Sequence, residues 1–342
     1  MEIRRALVRS RNDIVVESIQ LPQDHPKPDE VLLKTRASFI SAGTELAIYT
    51  GLDWRVDFPG NWSTYPFVPG YANVAEVVEV GAEVKGVQVG QRAFTTHRHV
   101  SQHFCAPGRE LFVPIPDGVG DDTAAAARMA MVSVTAIEVA DQELNDWVAV
   151  LGLGLVGNLC AQFFQLRGAR VIGVDPFEPR RALAQKMGVE HVVGGSAEEV
   201  EAEVKRLTGG AGARITVDAV GDSRVIQQAV PLTADHGDVI LLGTPRAPVE
   251  GDLTKVLEVS HYRWVNIKGA LEWRWPELPV PHVRNSIQNH MVTALDLVQR
   301  GKLHVTELIS HRIPATHIRD GYEGLLRHKE TYWGVVLDWT TI

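Results

Sequence analysis

Three glycines constrain this chain more than any other feature. Gly152, Gly154 and Gly157 stand in G-x-G-x-x-G spacing within "VAVLGLGLVGNLCAQ". The apolar segment before them reads as a strand and the segment after them as a helix, and a second apolar segment, "RVIGVD", ends at Asp175, 23 positions after Gly152. In that context the spacing is informative; alone it is common. From Trp147 to about Leu271, apolar runs alternate with helical patterns ("WVAVLGL", "VGNLCAQFFQLRG", "RVIGVD", "EPRRALAQKMG", "EHVVGG", "AEEVEAEVKRLTGG", "ITVDAVG", "SRVIQQAVPLTA", "DVILLGT", "WVNIKGAL"). Strands that are apolar throughout are buried on both faces, as in a parallel sheet covered by helices. The expectation is an α/β domain with a doubly wound parallel sheet.

The turn carries a specific chemistry. Gly152 permits a tight turn, Gly154 lets the backbone approach a pyrophosphate, and Gly157 lets the helix pack against the strand. Leu155 and Val156 open the helix, whose free N–H groups and partial positive charge suit phosphates. Asp175 would accept hydrogen bonds from the two adenosine ribose hydroxyls and would repel a 2′-phosphate. NAD is therefore expected over NADP, with Arg180 on the adenosine side. Further strand ends place Val220, Gly243 and Thr244 toward a nicotinamide half, although Gly221 and Gly243 would equally serve simply to end strands.

At 342 residues the chain is long enough for two domains. Residues before about 120 read as short strands broken by Gly and Pro, with one short helix at "TELAIYTG", the pattern of a small β-barrel. "DDTAAAARMAMVSVTAIEVADQ" reads as one Ala-rich helix, and the tail returns to mixed structure with a helix near 284–300. The net charge of -8 argues against nucleic acid as a partner. Cys105 and Cys160, 55 positions apart, form no disulfide framework and suit a reducing cytoplasm. No apolar signal core opens the chain, and no run of ~18 apolar residues suggests a membrane span.

"SAGTELAIY", "FVPGYANVAEVVEVG", "VGQRA", "VLGLGLVG", "VDPFEPRRALAQKMGVEHVV", "VDAVG" and "VILLG" together resemble the medium-chain dehydrogenase/reductase family over nearly the whole chain. The ending "LISHRIPATHIRDGYEGLLRHKETYWGVVLDW" is similar to a branch related to bacteriochlorophyllide-type and sugar or polyol dehydrogenases. The resemblance implies a GroES-like β-barrel catalytic domain over 1–135 and 273–342 and a Rossmann dinucleotide-binding domain over 136–272. Zinc-dependent members carry a cysteine where this chain has Ala42, a ligand histidine where it has Tyr71, and a third ligand at a position aligned with Arg128. The four-cysteine structural zinc lobe is absent as well. Zinc needs three donors from His, Cys, Asp or Glu, so no metal is expected.

The resemblance places the Thr44 hydroxyl beside the substrate oxygen, with Tyr71 aimed at the same place and Glu45 and Arg128 as relay members. From the residues alone, Thr44 also suits a helix N-cap with Glu45 in the first turn, and Tyr71 suits a void filler. His97, His99, His103 and Cys105 form a cluster of metal-competent side chains. Read plainly it is a polar, partly exposed strand and loop; a relocated metal or a substrate-binding His97 is the alternative. Trp273 lies in the Trp- and Arg-rich stretch 261–282, which suits a substrate ring or carboxylate, or a homodimer interface through an edge strand at 264–271. The expected function is zinc-independent, NAD-linked hydride transfer with a polar secondary alcohol or ketone such as a sugar or polyol. The alternatives are a zinc-free quinone or enoyl-type double-bond reductase, an enzyme that uses NAD in transient redox, and an inactive dinucleotide-binding protein.

Overall fold

The computed structural model describes residues 1–342. It divides into two units, one made of Met1–Arg128, Trp275–Gly301 and Val305–Ile342, the other of Met129–Arg274 and Lys302–His304. The first unit opens with an antiparallel hairpin of β1 (Glu2–Ser10) and β2 (Asp13–Gln20). Asn12 turns it with a left-handed φ of 58°, a conformation Asn tolerates better than most residues. Then follow β3 (Val31–Phe39), α1 (Ala42–Thr50), β4 (Asn73–Val80), β5 (Arg92–Thr95), β6 (Gln102–Cys105), β7 (Phe112–Pro114) and α2 (Asp121–Ala126). Strand β3 lies at the centre, pairing antiparallel with both β4 and β6.

Two sequence expectations change here. The stretch "QRAFTTHRHV" is a strand only as far as Thr95. Beyond it the backbone leaves the sheet to tie two other segments, with the Ala6 N–H donating to the His99 carbonyl and the His99 N–H to that of Pro69, both at 2.9 Å. The single Ala-rich helix is two, α2 and then α3 (Arg128–Val139), and the division between the units falls at this junction. Asp121 pins the start of α2 through Arg36 at 2.6 Å and Arg92 at 2.7 Å.

The second unit alternates strand and helix: β8 (Trp147–Leu151), α4 (Leu155–Leu166), β9 (Arg170–Val174), α5 (Glu178–Lys186), β10 (His191–Val193), α6 (Ala197–Leu207), β11 (Ala213–Asp218), α7 (Ser223–Leu232), β12 (Thr233–Leu241), α8 (Leu253–Arg263) and β13 (Asn266–Gly269). All pairings are parallel, in the order β10-β9-β8-β11-β12-β13. Counted within this unit, that is the doubly wound order 3-2-1-4-5-6. Successive residues of β8 bury into opposite faces: Val148 and Val150 join Phe164, Val217 and Ile240, whereas Ala149 and Leu151 join Ile172, Val204 and Val239. Helix α8 has no clear signature in the sequence because its apolar residues are divided: Val256 and Val259 pack on the core, whereas Leu253, Leu257 and Tyr262 are exposed.

The chain then completes the first unit with α9 (Ile287–Gln299), β14 (His311–Pro314), α10 (Ile318–Arg327) and β15 (Val335–Asp338). Strand β15 adds antiparallel to β3 and carries β14, giving a sheet in the order β14-β15-β3-β4-β5-β7 with β6 also on β3. Ile48, Tyr49, Tyr322, Leu337 and Trp339 sit in one core cluster with Val8 and Ile14, so the end of the chain seals the core begun by its start. The segment 302–304 belongs to the other unit because the Gln162 side chain exchanges two hydrogen bonds with the His304 backbone, at 2.8 and 3.0 Å. No helix is long and apolar enough to cross a membrane.

Candidate active site

In the second unit, the pairing register sets Val174, Leu151, Asp218 and Leu241 in one row at the carboxyl ends of β9, β8, β11 and β12. The turns that follow line the edge where open α/β sheets bind ligands. Strand order reverses between β8 and β11, so the Gly152 and Val220 turns flank the switch point. Gly152 has φ +92°, and a Cβ there would meet Val220 Cγ2 at 2.6 Å. A Cβ on Gly157 would lie 1.8 Å from the Gly152 carbonyl oxygen. Both glycines are thus required by the protein's own packing. Gly154 is different: the nearest atom to a Cβ would be Arg180 Nη1 at 3.8 Å, and as N-cap of α4 it brings no side chain to the helix end. The N–H groups of Leu155 and Val156 begin that helix and belong to the free end that suits an anion.

Asp175 is buried and organises this turn. One carboxylate oxygen accepts from the Leu153 N–H at 2.8 Å and the other from the Phe177 N–H at 2.9 Å, with Arg180 at 3.8 Å. A carboxylate has about four acceptor sites, so capacity for ribose hydroxyls remains. Asp218 repeats the device two strands over, accepting from the Val220 and Gly221 N–H groups. Burial pushes its carboxyl upward, against those two bonds. Gly243 and Gly221 pack so closely that a Cβ on Gly243 would lie 2.2 Å from the Gly221 nitrogen. Close backbone packing accounts for both glycines, while Val220 and Thr244 are exposed on the same edge.

In the first unit, a hydroxyl cluster forms at the start of α1. Ser41, not Thr44, is the N-cap, with φ −82° and ψ 90°. Thr44 is the third helical residue and half-buried, so the N-cap reading of Thr44 is corrected. The Ser41 hydroxyl does not cap the helix; it forms a short hydrogen bond with the Tyr71 hydroxyl. Glu45 reaches back from the helix to accept the Ser41 N–H at 2.9 Å, which fixes the backbone at the helix start. Arg128, fully buried at the start of α3, lies over the Tyr71 ring with its guanidinium carbon 4.6 Å from the centroid. The three positions matched by resemblance to metal ligands thus come together around one hydroxyl pair: Ala42 follows Ser41, Ser41 holds Tyr71, and Tyr71 stacks on Arg128.

Glu45 is itself buried, and its other oxygen accepts from His99 Nε2 at 3.0 Å and from the Tyr322 hydroxyl at 2.5 Å. His99 Nδ1 meets the Ser38 hydroxyl at 2.8 Å, and Ser38 accepts from Trp339 Nε1 at 2.8 Å. Indole is only a donor, so the Ser38 oxygen accepts from it and its own proton is free to go to His99 Nδ1. His99 Nε2 then carries the proton that Glu45 accepts. Burial first, and the Glu45 charge second, raise the Tyr322 phenol well above its ordinary value. Glu45 is therefore enclosed by protein donors, one of them the Ser41 N–H beside the hydroxyl pair.

The residues present do not fit zinc. No three His, Cys, Asp or Glu side chains are grouped to hold a metal ion. The His97–Cys105 cluster splits in space: His97 stacks on His103 with centroids 4.0 Å apart, His99 turns to Glu45, and Cys105 is buried in the barrel core. The expected polar, partly exposed strand is corrected as well, since His99, His103 and Cys105 are all buried. Trp273 is exposed on a short 3-10 turn, Glu272–Arg274, in the second unit, away from the Ser41–Tyr71 unit in the chain's division.

Two family models cover most of the chain. Residues 27–141 match the alcohol dehydrogenase GroES-like domain and residues 156–279 the zinc-binding dehydrogenase family. An alcohol dehydrogenase from Rhizobium meliloti is 28% identical over 277 residues, covering 72% of this chain and 78% of that protein. An L-threonine 3-dehydrogenase from Chelativorans sp. is 27% identical over 98% of both chains. The crystal structure of 2R,3R-butanediol dehydrogenase from Bacillus subtilis superposes with a TM-score of 0.80 at 20% identity, covering 98% of this chain and 99% of that one. The chain belongs to the zinc-type, alcohol-dehydrogenase-like superfamily of medium-chain dehydrogenases/reductases.

Sequence reasoning did not find Ser38, Ser41, Tyr322 or Trp339, and it set His99 among metal candidates. Ser41 had a signal, an N-cap residue followed four positions later by Glu. The different demands on two glycines are testable. Gly157→Ala is expected to destabilise the fold by about 1–3 kcal/mol in chemical denaturation. Gly154→Ala is expected to denature as the parent does while binding dinucleotide about tenfold more weakly in titration. Equal destabilisation by both would show that Gly154 too is kept for packing.

Proposed function

We propose that this protein is a zinc-independent, NAD(H)-linked oxidoreductase that moves hydride between nicotinamide and a polar secondary alcohol or ketone, of the sugar or polyol kind. The observation that carries the reading is the meeting of Ala42, Tyr71 and Arg128 around the Ser41–Tyr71 hydroxyl pair. The positions that would hold a metal in relatives form a metal-free proton-handling group instead.

The cofactor, when bound, supplies the hydride acceptor or donor. In the oxidising direction the substrate hydroxyl must lose its proton as hydride leaves. Tyr71, entering the step as the phenolate, takes that proton and leaves it as the neutral phenol, hydrogen-bonded to Ser41 throughout. The fixed positive charge of Arg128 lies against the ring that carries the phenolate's negative charge before the transfer, and that regains it in the reducing direction. Thr44, on the first turn of α1, orients the substrate oxygen, and Glu45 fixes the Ser41 backbone from behind. In NADH-forming assays over a panel of polar secondary alcohols, turnover is expected to survive exhaustive chelation. Tyr71→Phe and Thr44→Val are each expected to slow kcat by ~10²-fold or more with NAD affinity retained. Loss of turnover on chelation and its return with zinc, or near-normal rates in both variants, would refute this mechanism.

Asp175 supports NAD over NADP: a 2′-phosphate there would meet a buried carboxylate already oriented by Leu153 and Phe177. Asp175→Ser is expected to shift the ratio of kcat/KM values toward NADP by about 10–100-fold. An unchanged ratio would remove Asp175 from cofactor choice.

The assembly we propose is a homodimer paired through β13, the open edge of the parallel sheet. Tyr262, Trp264, Ile267 and Leu271 are exposed on or beside that strand, a concentration of apolar side chains that a monomer rarely leaves uncovered. Light scattering is expected to give a dimer for the parent and a monomer for Ile267→Glu. A monomeric parent, or a variant that stays dimeric, would place the interface elsewhere or remove it.

A further inference from the structure

A cavity of about 580 Å³ opens in the first unit, within the ordinary size range of small-molecule sites. Ile3, Ile19 and Leu21 of the β1–β2 hairpin and its continuation, with Trp62, Pro66 and Phe67, give it an apolar wall. None of Ser41, Thr44, Tyr71 and Arg128 lines it. Trp62 and Phe67 meet edge to face with centroids 5.9 Å apart, and Trp62 is 53% exposed, leaving a ring surface at the rim.

The polar groups in the wall are few and unevenly matched. Arg5 is neutralised by Glu17 at 2.7 Å. Arg98 makes no direct ion pair, although the charge of Glu45 acts on it from a distance: its guanidinium donates to the Gly70 carbonyl at 3.3 Å and lies 5.9 Å over the Phe67 ring. Cations in apolar concavities are ordinarily paired. His97 and His103 stack on each other, and the Nδ1 atom of each, like Gln102 Oε1, has no hydrogen-bond partner. Burial, with Arg98 a second cause, pushes His97 down to about 4, so the ring adds an acceptor and no charge at neutral pH. The cavity thus presents an apolar wall, one unmatched cation and uncharged imidazoles.

We propose that this cavity is an accessory binding site, separate from the hydroxyl cluster, for a small organic monoanion with a flat apolar body, namely an aromatic or branched-aliphatic carboxylate. Its carboxylate pairs with Arg98, in the fork geometry that guanidinium offers, and its body lies on the Trp62–Phe67 surface.

Calorimetric titration of the full-length protein with benzoate tests this, with benzamide and acetate as probes lacking the charge and the ring. Benzoate is expected to bind saturably at one site per chain, with benzamide and acetate weaker by about tenfold or more. Arg98→Gln is expected to weaken benzoate by a similar factor, Arg98→Lys to weaken it by less because the charge stays and the fork is lost, and Tyr71→Phe to leave it unchanged. The proposal is overturned by any of three results: no saturable benzoate binding to the parent, equal affinity in Arg98→Gln, or loss of binding in Tyr71→Phe instead. The last would move the anion to the Tyr71 cluster.

Discussion

The carboxylate of Glu45 holds the first unit together at the place where chemistry is proposed. An ionised carboxylate taken out of water costs several kcal/mol unless its lone pairs are met. Here they are met by three donors from three parts of the chain: the Ser41 N–H, His99 Nε2 and the Tyr322 hydroxyl. The network runs on through Ser38 to the indole of Trp339, four residues from the C-terminal end of the sequence. Each donor fixes something different. Ser41 is held as the helix start with its hydroxyl turned to Tyr71, His99 anchors the segment that leaves the sheet after β5, and Tyr322 docks α10. Because removing any one partner strands another polar group in the core, the arrangement is all-or-none and suits a rigid platform for two hydroxyls.

Asp175 does the same work in the second unit. Its two oxygens draw in the N–H groups on either side of it, from Leu153 in the glycine turn and Phe177 before α5. The turn therefore has its shape before any dinucleotide arrives, so less of the binding energy goes into ordering the loop. Gly152 and Gly157 serve that same shape through packing, and Gly154 alone is left with space around it. Of the three glycines, it is the one whose missing side chain is best explained by something outside the protein.

This division explains what was legible in the sequence. The parallel sheet and the turn at Gly152 rest on local signals, a short-range spacing and a change of hydrophobic period, and these were readable residue by residue. The Glu45 network was not, because its partners lie 54 and 277 positions away and nothing local marks His99 or Tyr322 as belonging to it. For the same reason His99 looked like one of four metal-competent side chains, when the backbone turn after Thr95 sends it and His97 to different surroundings. The α2–α3 break was hidden too, since an unbroken Ala-rich pattern carries no punctuation and the interruption coincides with the boundary between the units. Helix α8 escaped because it carries apolar residues on both its packed and its exposed sides, Val256 and Val259 on the one and Leu253, Leu257 and Tyr262 on the other, which blurs the periodic contrast that a buried face imposes.

The substitutions at Ala42, Tyr71 and Arg128 are best understood as one change rather than three. Ala42 packs on the apolar cluster that includes Tyr49 and Trp339, where a thiolate would lose its metal and keep its desolvation cost. Tyr71 brings a ring, and a ring gives a buried guanidinium a face to rest on, as Arg128 does. Arg128 in turn makes the place hostile to a divalent cation, so restoring a cysteine at 42 would not rebuild a metal site while Arg128 remains. A metal polarises the substrate oxygen directly. A phenol–serine pair backed by a guanidinium instead moves the proton and tolerates the charge left behind. At Ser41 the hydroxyl that would ordinarily cap α1 is turned to Tyr71 instead, while Glu45 holds the Ser41 N–H from within the helix.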